Sequence, residues 1–150
     1  MKIKSLLSET LTFAKIEGIS KKRVIDTIAQ TFAEQFDDID AGALFKQLVN
    51  REKLGSTGIG NGVAIPHCRF PTKGQTLCAC FTLESAVDFD AIDHGGVDIV
   101  FAMVAPEDAE QNHLENLAAL ANVLQDSRYV DSLRSAKNAQ DLYQAATRNE

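Results

Sequence analysis

The sequence predicts an α/β fold, specifically a three-layer α/β/α sandwich. Two observations carry that expectation. Residues 77–83 alternate Leu77, Ala79, Phe81 and Leu83 with Cys78, Cys80 and Thr82, so neither face is charged, and residues 97–104 read the same way. Such strands must be covered on both sides. Amphipathic helical stretches lie both before and after them, which supplies the two covers. At 150 residues, 45% hydrophobic and 24% charged, the chain has the size and balance of one globular domain, expected to span 1–150.

The first long helix is expected to open at Ser20, a good N-cap, with Val24, Ile25, Ile28, Ala29, Phe32, Ala33 and Phe36 at helical spacing. A second follows Asp37-Asp38-Ile39-Asp40, carries Ala41, Leu44, Phe45, Leu48 and Val49 inward, and stops at Gly55. Four of the eight residues from Gly55 to Gly62 are glycine, a density that disfavours helix and strand alike and predicts a loop. Val63-Ala64-Ile65 is a short apolar strand, and Pro66 biases Ile65 towards extended geometry, so His67 is expected at a rigid strand end. A short edge strand is expected at 87–89, and Gly95-Gly96 and Pro106 bound the strand over 97–104. Asp108 with Gln111 resembles a capping box for a helix burying Leu114, Leu117, Ala118, Ala121 and Leu124. Helices opening at Asp126 or Ser127 and at Asn138 bury Tyr129, Val130 and Leu133, then Leu142, Ala145 and Ala146.

Charge and composition exclude several classes of function. The net charge is -6 and the longest basic run is Lys21-Lys22-Arg23, so nucleic acid is not an expected partner. No apolar run approaches the roughly 18 residues of a bilayer span, and the first residues lack the apolar core of a signal peptide. Membrane insertion is not expected, and a cytoplasmic location is. Cys68, Cys78 and Cys80 are an odd set without zinc-site spacing, which predicts reduced thiols and no metal.

The segment from Arg51 through Gly55-Ser56-Thr57-Gly58-Ile59-Gly60-Asn61-Gly62 to Pro66-His67 is where function is expected. Backbone amides of a glycine-rich turn converge on anions, and phosphate is the obvious guest. A nucleotide loop does not fit: Gly58, Gly60 and Gly62 give G-x-G-x-G, there is no G-K-[ST], and a helix precedes the loop. A neutral imidazole at a stiff strand end offers a lone pair on one nitrogen while the other donates a hydrogen bond, which makes His67 a candidate nucleophile for phosphoryl transfer. His94, before Gly95-Gly96, reads as a surface turn residue, and Cys78 and Cys80 as core thiols.

Residues 51–67 resemble the active-site signature of the IIA components of the bacterial phosphotransferase system, in the fructose/mannitol class and most closely its stand-alone nitrogen-regulatory branch. Ser20-Lys21-Lys22-Arg23, Phe89-Asp90-Ala91-Ile92-Asp93 and His113-Leu114 with Leu117 and Ala118 extend the similarity over nearly the whole length. The resemblance implies a mixed central sheet between helical layers. It implies that His67 takes phosphate, favouring Nε2, from the phosphohistidine carrier protein HPr or its nitrogen-branch paralogue, with no cofactor. It also implies that Arg51 approaches the phosphoryl oxygens, that His113 is the second imidazole, and that Gly58, Gly60, Asn61 and Gly62 shape the phosphate floor. Regulatory targets such as potassium-transport or stress regulators would then read the phosphorylation state. Where the family often places glycine after its histidine, Cys68 stands here. Two alternatives remain at this level: a fructose- or mannitol-specific uptake component with the same chemistry, and a metal- or thiol-dependent protein using His67 with the cysteines.

Overall fold

The computed structural model describes residues 3–148, and its elements in chain order are α1 (Ile3–Leu6), β1 (Leu7–Ile16), α2 (Lys21–Gln35), α3 (Ala41–Lys53), β2 (Gly58–Gly60), β3 (Val63–Ala64), β4 (His67–Arg69), β5 (Leu77–Val87), β6 (Val97–Ala105), α4 (Glu110–Val123), α5 (Ser127–Ser135) and α6 (Ala139–Thr147). The strands form one mixed sheet in the order β1-β5-β6-β3-β2, with β4 also on β6. Alternation along β5 and β6 separates two cores. Leu77, Ala79, Phe81, Val100, Ala102 and Val104 face Val24, Ile28, Phe32, Leu44 and Leu48 of α2 and α3. Cys78, Cys80, Ile99, Phe101 and Met103 face Leu120, Leu124, Val130, Leu133 and Leu142 of α4 to α6. The expected α/β/α sandwich with a mixed sheet is what forms. None of the helices is long and apolar enough to cross a membrane among the described residues.

Local signals placed the helices on the first face well. Ser20 accepts from the Arg23 N–H and Asp40 from the Ala43 N–H, each satisfying a donor that the first helical turn leaves bare. Asp126 and Asn138 cap α5 and α6 in the same way.

Four local expectations need correction. The strand β1 was not expected. It pairs parallel to β5, but between Leu7↔Cys78 and Thr12↔Cys80 the register shifts, so its buried residues, Leu7, Leu11 and Thr12, lack the period of two that marks a strand. The expected edge strand at 87–89 is instead the end of β5, with Val87 opposite Val97. Among the described residues no side chain caps α4, whose N-cap is Ala109; Gln111 instead donates to Glu115. Of its expected inward residues Leu124 is buried and Leu117 and Ala121 pack against the core, but Leu114 is 56% exposed and Ala118 is exposed, while His113 and Leu120 are buried.

The glycine-rich loop is the fourth. Gly58–Gly60 pairs antiparallel with Val63–Ala64, and Asn61 and Gly62, with φ of 57° and 80°, make the two-residue hairpin turn that needs both residues left-handed. The turn is clamped on all sides. Asn61 donates its N–H to Asp93 at 3.2 Å, the Asn61 carbonyl accepts from Arg134 at 3.1 Å, and the Gly62 carbonyl accepts from Asp98 and Ile99 at 3.0 Å. Arg134 in turn pairs with Asp98 at 2.7 Å.

A Cβ at Gly62 would lie 2.7 Å from Arg134 Nη2 and 2.8 Å from Asp98 Oδ1, on a backbone at φ +80°. Gly62→Ala is therefore expected to cost about 2–3 kcal/mol in chemical denaturation. Gly74→Ala, with φ +81° and nothing within 4 Å, is expected to cost only about 1–2 kcal/mol. Equal losses would show that the clamp adds nothing beyond backbone strain.

Candidate active site

The edge of β6 next to β3 and β4 is where the site is made. Val63 and Ala64 pair with Ile99 and Val100, then His67 to Arg69 resume with Met103 to Ala105. Between them Pro66 has no N–H to give, while its carbonyl accepts from Met103 at 3.0 Å. Ile65 faces the other way, its N–H donating to the Thr57 carbonyl, and its own carbonyl accepts from His67 Nδ1 at 2.7 Å. A carbonyl only accepts, so Nδ1 carries the proton and Nε2 holds the lone pair.

Arg51, in the last turn of α3, donates Nε–H to that lone pair at 3.2 Å and Nη1–H to the Gly55 carbonyl at 2.9 Å. His113, on α4, places its ring centroid 5.6 Å from that of His67, tilted by 59°. Its Nδ1 is buried without a hydrogen-bond partner among the described residues. A bare lone pair is less costly there than a bare N–H, which assigns the proton to Nε2. Together these groups line an open cleft of about 540 Å³ with Gln47, Asn50, Arg69 and Glu107. Leu54 and Leu114, 84% and 56% exposed, stand on its rim.

Both imidazoles are held in the uncharged form. Burial lowers the His67 pKa, and Arg51 lowers it further, against the Ile65 hydrogen bond and Glu52, which raise it. Burial, then His67 and Arg69, push His113 down to about 4. A neutral pair with one lone pair facing the cleft, one guanidinium and one N–H donor can receive a group that brings negative oxygens.

Sequence reasoning therefore placed three residues that the fold brings together: His67, His113 and Arg51. It did not place the others correctly. Gly58, Gly60, Asn61 and Gly62 do not line the cleft; their hairpin is anchored opposite Ile99, four residues and roughly 13 Å along β6 from the partner of His67. Cys68 borders the cleft but packs in the core on the α2–α3 face with its thiol raised to about 12, and it has no left-handed backbone that would call for glycine. Cys78 and Cys80 lie in the opposite core, both raised by burial. Among the described residues no group of three or more His, Cys, Asp or Glu could hold a metal ion.

Sequence reasoning did not single out Gln47, Asn50, Arg69 and Glu107 in the cleft, nor Glu52 beside it. Glu52 is buried, and its carboxylate accepts from the Thr57 N–H and hydroxyl and pairs with Lys21 at 2.7 Å. This ties α2, α3 and the start of the hairpin together directly beside Arg51. The sequence signal was an acid between two cations at a helix end, which reads more simply as a solvated residue.

Residues 5–148 match the family described as phosphoenolpyruvate-dependent sugar phosphotransferase system, EIIA 2. The chain is 42% identical over 144 residues to a nitrogen regulatory protein of Pseudomonas aeruginosa, covering 96% of this chain and 94% of that one. It is 36% identical over 151 residues to the nitrogen regulatory protein of Escherichia coli, covering 100% and 92%. The crystal structure of the nitrogen regulatory protein IIA-Ntr from Neisseria meningitidis superposes with a TM-score of 0.89 at 32% identity, covering 97% of this chain and 99% of that one.

A buried His113 that resists protonation links stability to pH. Its folded pKa of about 4 lies below the unfolded value, so between those values the unfolded chain binds more protons. The stabilisation is present above roughly pH 6.5 and is lost as pH falls towards 4. In urea titrations, the stability of the unmodified protein relative to His113→Leu is expected to fall by on the order of 2 kcal/mol between about pH 7 and 4.5. A pH-independent difference would mean that the ring titrates normally.

Proposed function

The chain belongs to the phosphoenolpyruvate-dependent sugar phosphotransferase system EIIA 2 family, and from that membership we propose that it is a regulatory phosphoryl carrier, loaded at Nε2 of His67 by the phosphohistidine of an HPr-type carrier protein. The observation that carries the proposal is the pair of hydrogen bonds on His67, to the Ile65 carbonyl at Nδ1 and from Arg51 at Nε2.

In the proposed step the Nε2 lone pair attacks phosphorus, the donor's P–N bond breaks, and its electron pair returns to the donor nitrogen. No proton has to leave His67, because its only N–H is on Nδ1. As the ring takes on positive character, the Nδ1–H bond to Ile65 strengthens. Arg51 releases Nε2 and turns to the phosphoryl oxygens while Nη1 remains tethered at Gly55, and His113 offers Nε2–H to another oxygen. Transfer between two imidazoles is close to balanced, so the group can be passed on.

The relatives named nitrogen regulatory proteins, matched over more than nine-tenths of their length, favour regulation over dedicated sugar uptake, which would use the same His67 chemistry with another recipient. A phosphoryl group adds roughly -1.5 to -2 charge at the cleft, enough to change which partner surfaces bind there. On this reading the protein works in the cytoplasm, where its donor is.

His67→Gln is expected to take up no label from a radiolabelled, phosphorylated HPr-type donor while keeping its fold; label retained at full yield would place the acceptor elsewhere. Arg51→Ala is expected to slow uptake about 10²–10³-fold at unchanged melting temperature, with Arg51→Lys recovering part of the loss. A rate within a factor of two of the unmodified protein in rapid-quench assays would reduce Arg51 to a helix-end residue.

A further inference from the structure

On the far side of the last turn of α3 from the cleft lies a second concavity of about 520 Å³, lined by Lys21, Lys22, Ile25, Phe45, Val49, Glu52 and Lys53. Its floor is apolar: Phe45 and Val49 are only partly buried against the core, beside fully buried Ile25. Its rim is cationic. The one acid in it, Glu52, is buried and already paired with Lys21, whereas Lys22 and Lys53 are exposed and have no carboxylate partner among the described residues. In a chain of net charge -6, two unpaired cations flanking an apolar groove are a local reversal of sign.

From Phe45 to Lys53 the groove runs about 12 Å along α3, the rise of two helical turns. That length accommodates apolar anchors spaced i, i+3 or i+4, and i+7 on a docked helix. The lysines at its rim would meet acidic residues flanking those anchors and repel basic ones. We propose that the groove between α2 and α3 is a docking site for an acidic amphipathic helix of a partner protein. The site is separate from the His67 cleft and does not depend on the phosphoryl-carrier reading. Arg51 and Leu54 face the cleft while Glu52 and Lys53 face the groove, so α3 presents its final turn to both.

The test is selection from a displayed library of amphipathic helices of about 12 residues, with Leu or Phe fixed at the anchors and Glu, Lys or Ser randomised elsewhere. The target is the full chain. Glu-rich winners are expected, perturbing amide resonances at Ile25, Phe45 and Val49, binding more weakly as salt rises, and losing about tenfold or more of their affinity for Lys22→Glu/Lys53→Glu. Both substitutions are at exposed lysines, and unchanged melting of the double variant shows that the loss is not unfolding. Winners without acidic bias, winners that map elsewhere, no winners at all, or self-association of the chain through the same groove in sedimentation would each overturn the proposal.

Discussion

The hydrogen bond from His67 Nδ1 to the Ile65 carbonyl, at 2.7 Å, is the constraint from which the chemistry of the site follows. The Gly62 and Pro66 carbonyls face β6 and accept from Ile99 and Met103, so alternation turns the Ile65 carbonyl away from β6, on the side where the Ile65 N–H meets Thr57. A histidine with no such carbonyl beside it would have no assigned tautomer. Here one proton is fixed, one lone pair is presented, and Arg51 can find it only because Nε2 has nothing else to do.

How far the sequence revealed this depends on how local each cause is. The Ser20 and Asp40 caps act within one turn, and the apolar stripes of α2 and α3 repeat cleanly, so those helices were legible. So were the two central strands, whose lack of a charged face has only one structural reading. In β1, burial is set by a register shift against β5, a property of the pair rather than of Leu7 to Ile16 alone. On α4 Leu117, Ala121 and Leu124 pack inward as their spacing predicts, but in its first turns a polar residue, His113, takes an inward position and an apolar one, Leu114, takes an outward position. That exchange runs against hydrophobic patterning, and it sits at the site, where such local conflicts concentrate.

The glycine turn shows a sound inference reaching a different object. One amide of the glycine-rich segment does meet an anion here, but the anion is Asp93, whose carboxylate accepts from Asn61 and from Gly95 outside the segment and is held below its ordinary pKa by those bonds. The glycines serve the hairpin that sets the start of β3, and hence the phase in which Pro66 and His67 meet β6. Their contribution to the cleft is one of position, at a distance of several residues. Sequence adjacency within the 51–67 segment suggested contact; the pairing with β6 spends that adjacency on spanning the sheet edge.

Electrostatics at the cleft depend on a residue that never touches it. A net charge of -6 should oppose an incoming phosphoryl group, and besides Glu107, which lines the cleft, Glu52 lies next in sequence to Arg51. Its negative charge raises the His67 pKa, which works against a neutral nucleophile and would also repel phosphoryl oxygens. Lys21 at 2.7 Å and the Thr57 donors compensate that charge inside the core. What remains facing the cleft is then Arg51, Arg69 and two uncharged rings, opposed by Glu107. The first residue of α2 thus helps set the sign of a site built on α3, β4 and α4. Without Lys21 and the Thr57 donors, a bare carboxylate buried beside Arg51 would weaken the tie between α2, α3 and the start of the hairpin, and with it the turn from which Arg51 reaches His67.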